Sequence, residues 1–279
     1  MKKTTGIFIG ALAMALFAIP AKPAHAGDFH RIKSSFITNT AKPNQYYRYN
    51  QNTQAGPFKG KKIILPKGTI ISGFHSGDSA SKTLDALQNM GPDLSYYLLK
   101  KQGFAKPWHQ FNTWQTYMKS RYTRVKTPSY MVTPYNNNVF VTGGPAQFKD
   151  KAINGSKAKL KQNAIKFTSD GFAEFYKYKG KQLVGYDGRW LYRQKPTSFA
   201  KIRKTIRKNG KIYFYFRNNL KGVNDKKVRS TGNYRYRLTI QNLHTPYEYV
   251  GRSTQTASMY KFGGYRYYTL PIPYQNNGD

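Results

Sequence analysis

Residues 201–217 (KIRKTIRKNGKIYFYFR) constrain the fold more than any other part of the chain. Asn209-Gly210 is a strong two-residue hairpin signal, because both central positions of the favoured turn need positive φ. The run before it places Ile202 and Ile206 on one face, and the run after it, Ile212-Tyr213-Phe214-Tyr215-Phe216, is β-prone throughout. The same punctuation recurs upstream. Residues 172–178 reach a turn at Lys179-Gly180, 182–186 reach Asp187-Gly188, and 189–193 (RWLYR) follow, which predicts a meander of about five strands between 172 and 217. Downstream, Tyr234, Tyr236, Leu238 and Ile240 alternate with Arg235, Arg237 and Thr239, giving one apolar and one basic face. Residues 265–270 (YRYYTL) read as a closing strand, so the C-terminal half is expected to be all-β.

Residues 79–101 depart from this pattern. Leu84, Leu87, Leu94, Leu98 and Leu99 fall at helix-like spacing, Ser79 and Ser81 are candidate N-caps, and Gly91-Pro92 divides the stretch. The spacing predicts a short two-helix insert near 80–101, with helices over about 81–89 and 93–101.

Residues 59–70 (KGKKIILPKGTI) can be laid on 154–165 (NGSKAKLKQNAI), matching Gly60 with Gly155, Lys62 with Lys157, Leu65 with Leu160 and Ile70 with Ile165. The expected organisation is a 1–26 signal peptide, a 27–127 N-terminal β module with the helical insert, and a 128–279 all-β region holding a second module and the meander. Within the first copy, Gly60-Lys61-Lys62-Ile63-Ile64-Leu65-Pro66-Lys67-Gly68-Thr69 resembles the central strand and turn of bacterial SH3-like modules. In that family a leu-x-lys-gly-thr turn precedes a β-branched strand. The resemblance implies small antiparallel SH3-like barrel or sandwich modules. It also implies a place among secreted Gram-positive proteins that bind cell-wall material, close in character to surface-layer-type repeats. Basic, Tyr-rich, Cys-free chains with an Ala-x-Ala signal likewise resemble the surface proteins of lactic acid bacteria.

The export signal is read from the residues themselves. Lys2 and Lys3 precede a short apolar run over 7–19, and Ala24-His25-Ala26 supplies a small-x-small cleavage pattern, so the mature chain is expected to start at Gly27. The apolar run is shorter than the roughly 20 residues a spanning helix needs, so no membrane span is expected. Residues 271–279 (PIPYQNNGD) carry no hydrophobic tail or sorting-type motif, and no covalent anchor is expected. With no cysteine anywhere, disulfides, thiolate metal sites and Cys nucleophiles are excluded. The 24 Tyr, 17 Phe and 3 Trp argue against a disordered basic tail.

The charge balance dominates what the chain can do. Lys and Arg number 47 against 11 Asp and Glu, and removing Lys2, Lys3 and Lys22 with the signal leaves 44 basic against 11 acidic side chains, a net +33. With so few acids, intramolecular neutralisation cannot absorb this charge, and a polyanionic partner is implied. Candidate polyanion-binding residues are Lys59, Lys61, Lys62, Lys67, Lys157, Lys159, Lys161, Lys201, Arg203, Lys204, Arg207, Lys208, Arg235 and Arg237, with Trp108 and Trp190 as candidate stacking residues. Lys149, Lys151, Lys166, Lys211, Lys221, Lys226, Lys227 and Arg229 extend the same runs.

No catalytic constellation emerges. Asp170 and Glu174 are the close acidic pair on a strand-like run, four apart and hence on the same face of a strand, and salt-bridging to neighbouring Lys is the expected explanation. His30, His75, His109 and His244 show no metal-ligand spacing, and His75 with Ser76, Asp78 and Ser79 reads as capping in a polar loop. Gly143-Gly144-Pro145 and Gly263-Gly264 are turn glycines without a nucleotide fingerprint. No enzyme activity, metal or other cofactor is expected. The expected function is that of a secreted, basic cell-surface protein held non-covalently on anionic cell-wall polymers such as teichoic acid and peptidoglycan. The alternatives are a wall-active hydrolase with wall-targeting modules and an adhesin for host anionic glycans. Nucleic acid would be bound only non-specifically.

Overall fold

The computed structural model describes residues 28–31, 44–58, 61–75, 84–90, 94–102, 112–118, 121–134, 138–143, 162–179, 195–250, 254–269 and 272–273. It is mainly β, as the alternation and turn signals require. The candidate residues Lys59, Lys157, Lys159, Lys161, Trp108 and Trp190 lie outside the described residues, as do 1–26, Ser79, Ser81 and the expected strands 182–186 and 189–193.

The N-terminal half supplies β1 (Asp28–Arg31), β2 (Gln45–Tyr49), β3 (Thr53–Phe58), β4 (Lys61–Leu65), β5 (Ile70–His75), β6 (Leu84–Met90), helix α1 (Tyr96–Lys101), β7 (Asn112–Met118) and β8 (Tyr122–Val125). Five of these strands form an antiparallel sheet in the order β7-β6-β5-β2-β8, and β3 and β4 form a separate ribbon. The Leu65-to-Thr69 turn that carries the module resemblance joins β4 to β5, with Gly68 at φ 85°. A small core of Tyr47, Tyr49, Leu65, Ile71, Leu94, Leu98, Leu99 and Tyr122 ties this sheet to α1.

The expected two-helix insert is corrected here. Residues 84–90 form a strand hydrogen-bonded on both sides, to β5 and to β7. Leu84-Asp85-Ala86-Leu87-Gln88-Asn89-Met90 satisfies a two-residue period as readily as a helical one, and two neighbouring strands decide between them. The second helix exists, as the six-residue α1. Ser95 is its N-cap and its hydroxyl accepts from Leu98 N at 3.2 Å.

The C-terminal half contributes β9 (Val139–Thr142), β10 (Ala164–Phe167), β11 (Phe172–Tyr176), β12 (Ser198–Lys208), β13 (Lys211–Phe216), β14 (Lys226–Lys227), β15 (Tyr236–Val250), β16 (Thr254–Phe262), β17 (Tyr265–Thr269) and β18 (Ile272–Pro273). Eight of them, β9-β10-β11-β12-β13-β15-β16-β17, pair in chain order, and β17 returns to β9 through Tyr268 opposite Val141. The result is a closed up-and-down antiparallel barrel, an arrangement that leaves no edge within the ring. The predicted closing strand does close it. β1 adds to the outside of β15.

An eight-stranded barrel has an interior just wide enough for side chains to fill. Phe140, Phe167, Phe175, Phe214, Phe216, Phe262, Leu238 and Ile240 fill this one. Their rings meet edge-to-face, with Phe140 and Phe262 centroids 4.9 Å apart and Phe167 and Phe214 5.2 Å apart. Asn209 (φ 51°) and Gly210 (φ 68°) both take positive φ, as the Asn-Gly signal requires.

One parity expectation fails in an informative way. Ile202 pairs with Phe216, but the register shifts between Ile202 and Lys204, so Ile206 faces Tyr213 on the outer wall and Arg207 faces Ile212 on the inner side. A bulge adds one residue and inverts every later side chain. Arg207 therefore ends at the barrel mouth, where its guanidinium donates to the carbonyl oxygens of Met131 at 2.6 Å and Ser129 at 3.3 Å.

Gly222 has φ 99°, and a Cβ there would lie 2.0 Å from a ring carbon of Phe175. Gly222→Ala should lower the unfolding free energy by about 2–4 kcal/mol through overpacking and backbone strain. Gly210→Ala, where a Cβ meets open space, should lose roughly 1 kcal/mol from its backbone alone. Urea denaturation of the two variants checks the contrast.

Candidate functional site: a helix dock, a cleft and a cationic basin

The acidic pair singled out in the sequence sits where α1 meets the barrel. Asp170 lies in the β10–β11 turn and Glu174 on β11, so they are not on one strand face. Asp170 receives Ser95 N at 2.9 Å and the Ser95 hydroxyl at 2.5 Å. Glu174, 1% exposed, receives Tyr96 N at 2.5 Å and the Tyr176 hydroxyl at 2.6 Å. Its cross-strand neighbour Lys166 stands 3.8 Å away and donates to Leu94 O at 3.2 Å. Lys166 is thus a buried partner and not part of a solvent-facing charge run. The two carboxylates anchor the start of α1 on the barrel wall, which is why every residue of β10 and β11 is buried.

Burial raises the Glu174 pKa above its ordinary value, and Asp170 adds to the rise, while Lys166, Tyr176 and Tyr96 pull it down. Desolvation prevails because the ammonium is at long range and shared with a carbonyl.

Beside this dock lies a cleft of about 580 Å³. Its walls include Tyr97 of α1, Phe172, Phe199, Lys201 and Arg203 of the barrel, Asp170, Tyr130 and Asn218. Tyr97 stacks on Phe172 (centroids 5.1 Å, interplanar 27°), and Phe199 lies 6.2 Å from Tyr97. Lys201 sits over the Phe172 ring at 4.7 Å and donates to the Asp170 carbonyl. Its burial lowers its pKa, against the opposing pull of Asp170. The Tyr130 hydroxyl is fixed on Ser169 O at 2.6 Å.

A second concavity, about 320 Å³, opens on the outer wall around β13, β15 and β16. Lys211, Lys226, Arg237 and Lys261 line it together with Asn224, Thr239, Gln241, Gly263 and Gly264, so four cations and no carboxylate face one space. Lys226 stands directly opposite Arg237, and Gln241 lies between Lys211 and Lys261 in the ladder. Arg266 faces Lys261 from β17. Asp225, the acidic neighbour of Lys226, turns inward and accepts from Leu220 N at 2.9 Å and from Asn219. The Arg237 guanidinium lies over Tyr213 at 5.4 Å, and its buried Nε has no hydrogen-bond partner among the described residues.

The remaining sequence candidates distribute as follows. Lys67 is exposed in the β4–β5 turn, and Lys61 and Lys62 belong to β4. Arg203, Lys204 and Lys208 are exposed on β12, with Lys204 over Tyr234 at 5.7 Å. Arg235 lies half-buried over Tyr236 at 5.6 Å. Lys201 and Arg203 go to the cleft and Arg237 to the basin, whereas Arg207 is held by main-chain carbonyls. Lys261 had no signal, because it is an isolated lysine in β16 and only the β15–β16 pairing brings it to the others. Tyr97 was hidden among helix residues for the same reason. His30 and His75 lie in β1 and β5, and His244 in β15. Among the described residues no three His, Cys, Asp or Glu side chains gather into a group that could hold a metal.

Comparison with protein-family models, with curated proteins and with solved structures gives no match for this chain.

A folded carboxyl pKa raised above the unfolded value means that the native state holds its proton longer, so this contribution to stability is full below about pH 4 and falls as pH rises through the folded pKa. The stability difference between the native protein and Glu174→Gln should therefore decline between pH 4 and neutrality, measured by denaturant titration at each pH. A separate expectation is that Ser95→Ala, which removes both a cap and an Asp170 partner, loses about 1–2 kcal/mol.

Proposed function

We propose that this protein is a secreted cell-surface protein that binds anionic wall polymers through the outer wall of its barrel. The observation that carries this reading is the basin of Lys211, Lys226, Arg237 and Lys261 with no carboxylate in its lining. Like charges set directly opposite one another in a ladder destabilise the sheet, and a bound polyanion relieves that repulsion. Arg237, half-buried over Tyr213, adds a planar guanidinium of the kind that pairs with phosphate oxygens. The SH3-like resemblance around the β4–β5 turn points to the same wall partners.

A phosphate polymer bound by counterion release is held strongly at low salt and weakly at high salt. Purified walls bearing teichoic acid should retain the protein at low ionic strength and release it in about 1 M salt, where the Debye length is near 3 Å. Walls stripped of teichoic acid should retain little. Lys211→Glu combined with Lys261→Glu should weaken retention by about tenfold or more and flatten the salt dependence by roughly two charges. Retention through the high-salt wash, or an unaltered double variant, would count against the reading.

A further inference from the structure

The cleft beside α1 has a different chemistry from the basin, and polymer electrostatics leave it unexplained. Its volume of about 580 Å³ suits a small ligand. One wall is aromatic, Tyr97 stacked on Phe172 with Phe199 alongside; the exposed Lys101 ammonium stands over the Tyr97 ring at 4.9 Å, and Tyr97 itself remains 38% exposed. Polar residues line the same space: Asp170, whose carboxylate oxygens each already accept once from Ser95, Asn218, and the cations Lys201 and Arg203. Stacked rings offer a flat apolar face but few hydrogen bonds, while the surrounding groups offer donors and acceptors at its edge. A planar apolar ligand would make no use of that polar edge, and a simple inorganic anion would leave the aromatic wall idle.

We propose that this cleft binds a single pyranose ring carrying an acidic substituent, its C–H face displacing the mobile-stemmed Lys101 ammonium from Tyr97 and its negative group toward Lys201 and Arg203. Ring hydroxyls then donate to Asp170 and accept from Asn218. Lys201 is suited to the task because it is already held by the Asp170 carbonyl and the Phe172 ring, so little of its freedom is lost on binding. Burial also lowers its pKa, which a ligand anion would oppose. The site stands on the cleft alone, so it does not fall if the basin proves to bind no polymer.

The test uses the whole mature protein with free glucuronate and free glucose as probes, read by saturation-transfer NMR at about 0.5 M salt to screen exposed charges. Glucuronate should bind and glucose should bind markedly more weakly. Tyr97→Ala should raise the glucuronate dissociation constant about tenfold or more, a loss on the scale of ring stacking, while Tyr97→Phe keeps the ring and the affinity. Arg203→Ala, at an exposed position that should not disturb folding, should narrow the preference for glucuronate over glucose. The Lys211→Glu, Lys261→Glu variant should bind glucuronate as the native protein does. Absence of glucuronate binding, equal binding of glucose, full binding by Tyr97→Ala, or loss of the signal in the basin variant would each overturn the assignment.

Discussion

The attachment of α1 to the barrel depends on two carboxylates, Glu174 taken out of water and Asp170 half-buried beside it. Asp170 and Glu174 receive the first N–H groups of a six-residue helix that is too short to be stable alone. Because the groups are buried, each must be satisfied, and removing any one partner strands the others. The arrangement also reserves the scarcest residue type in the chain. Of 11 acidic side chains, two stand at this junction and a third, Asp225, is turned into a loop away from the cations around it. These three acids thus serve internal order, while the basin on the outer wall is lined by one sign of charge among the described residues.

From this junction the other features follow in order. With β10 and β11 covered on their outer faces, the barrel is wetted mainly along β12, β13, β15, β16 and β17, and there the basic residues gather. The covered side carries the cleft, because α1 stands against the wall only at its first residues and Tyr97 leans over Phe172 beside them. Covered and exposed sides therefore offer different chemistry: rings and a few fixed polar groups on one, spread cations on the other.

Much of the barrel was legible in the sequence because its signals are local. Asn209-Gly210 fixes a turn by backbone conformation alone, and the alternation from Tyr236 to Ile240 states which side of β15 is wet, although Tyr234 lies exposed ahead of the strand. What escaped depends on partners distant in the chain. The bulge at Arg203 leaves no mark in a stretch such as KIRKTIR, where Ile202 and Ile206 fit either parity. Residues 84–90 satisfy both helical and strand periods, and strands on either side settle the matter. Asp170 and Glu174 stood out as a pair, yet their partners Ser95 and Tyr96 lie more than seventy residues earlier. The basin is assembled from four short segments, so no single run of charge announces it.

Two arginines of the outer wall stand over tyrosine rings, Arg237 over Tyr213 and Arg235 over Tyr236. A lysine on a free stem samples many positions and surrenders that freedom when it meets an anion. A guanidinium already pressed against a ring has surrendered it during folding, so its donor edge stands at a fixed height and spacing before any ligand arrives. Such a wall sets a spacing as well as a charge: ionic strength shortens the reach of its cations without altering the interval between them.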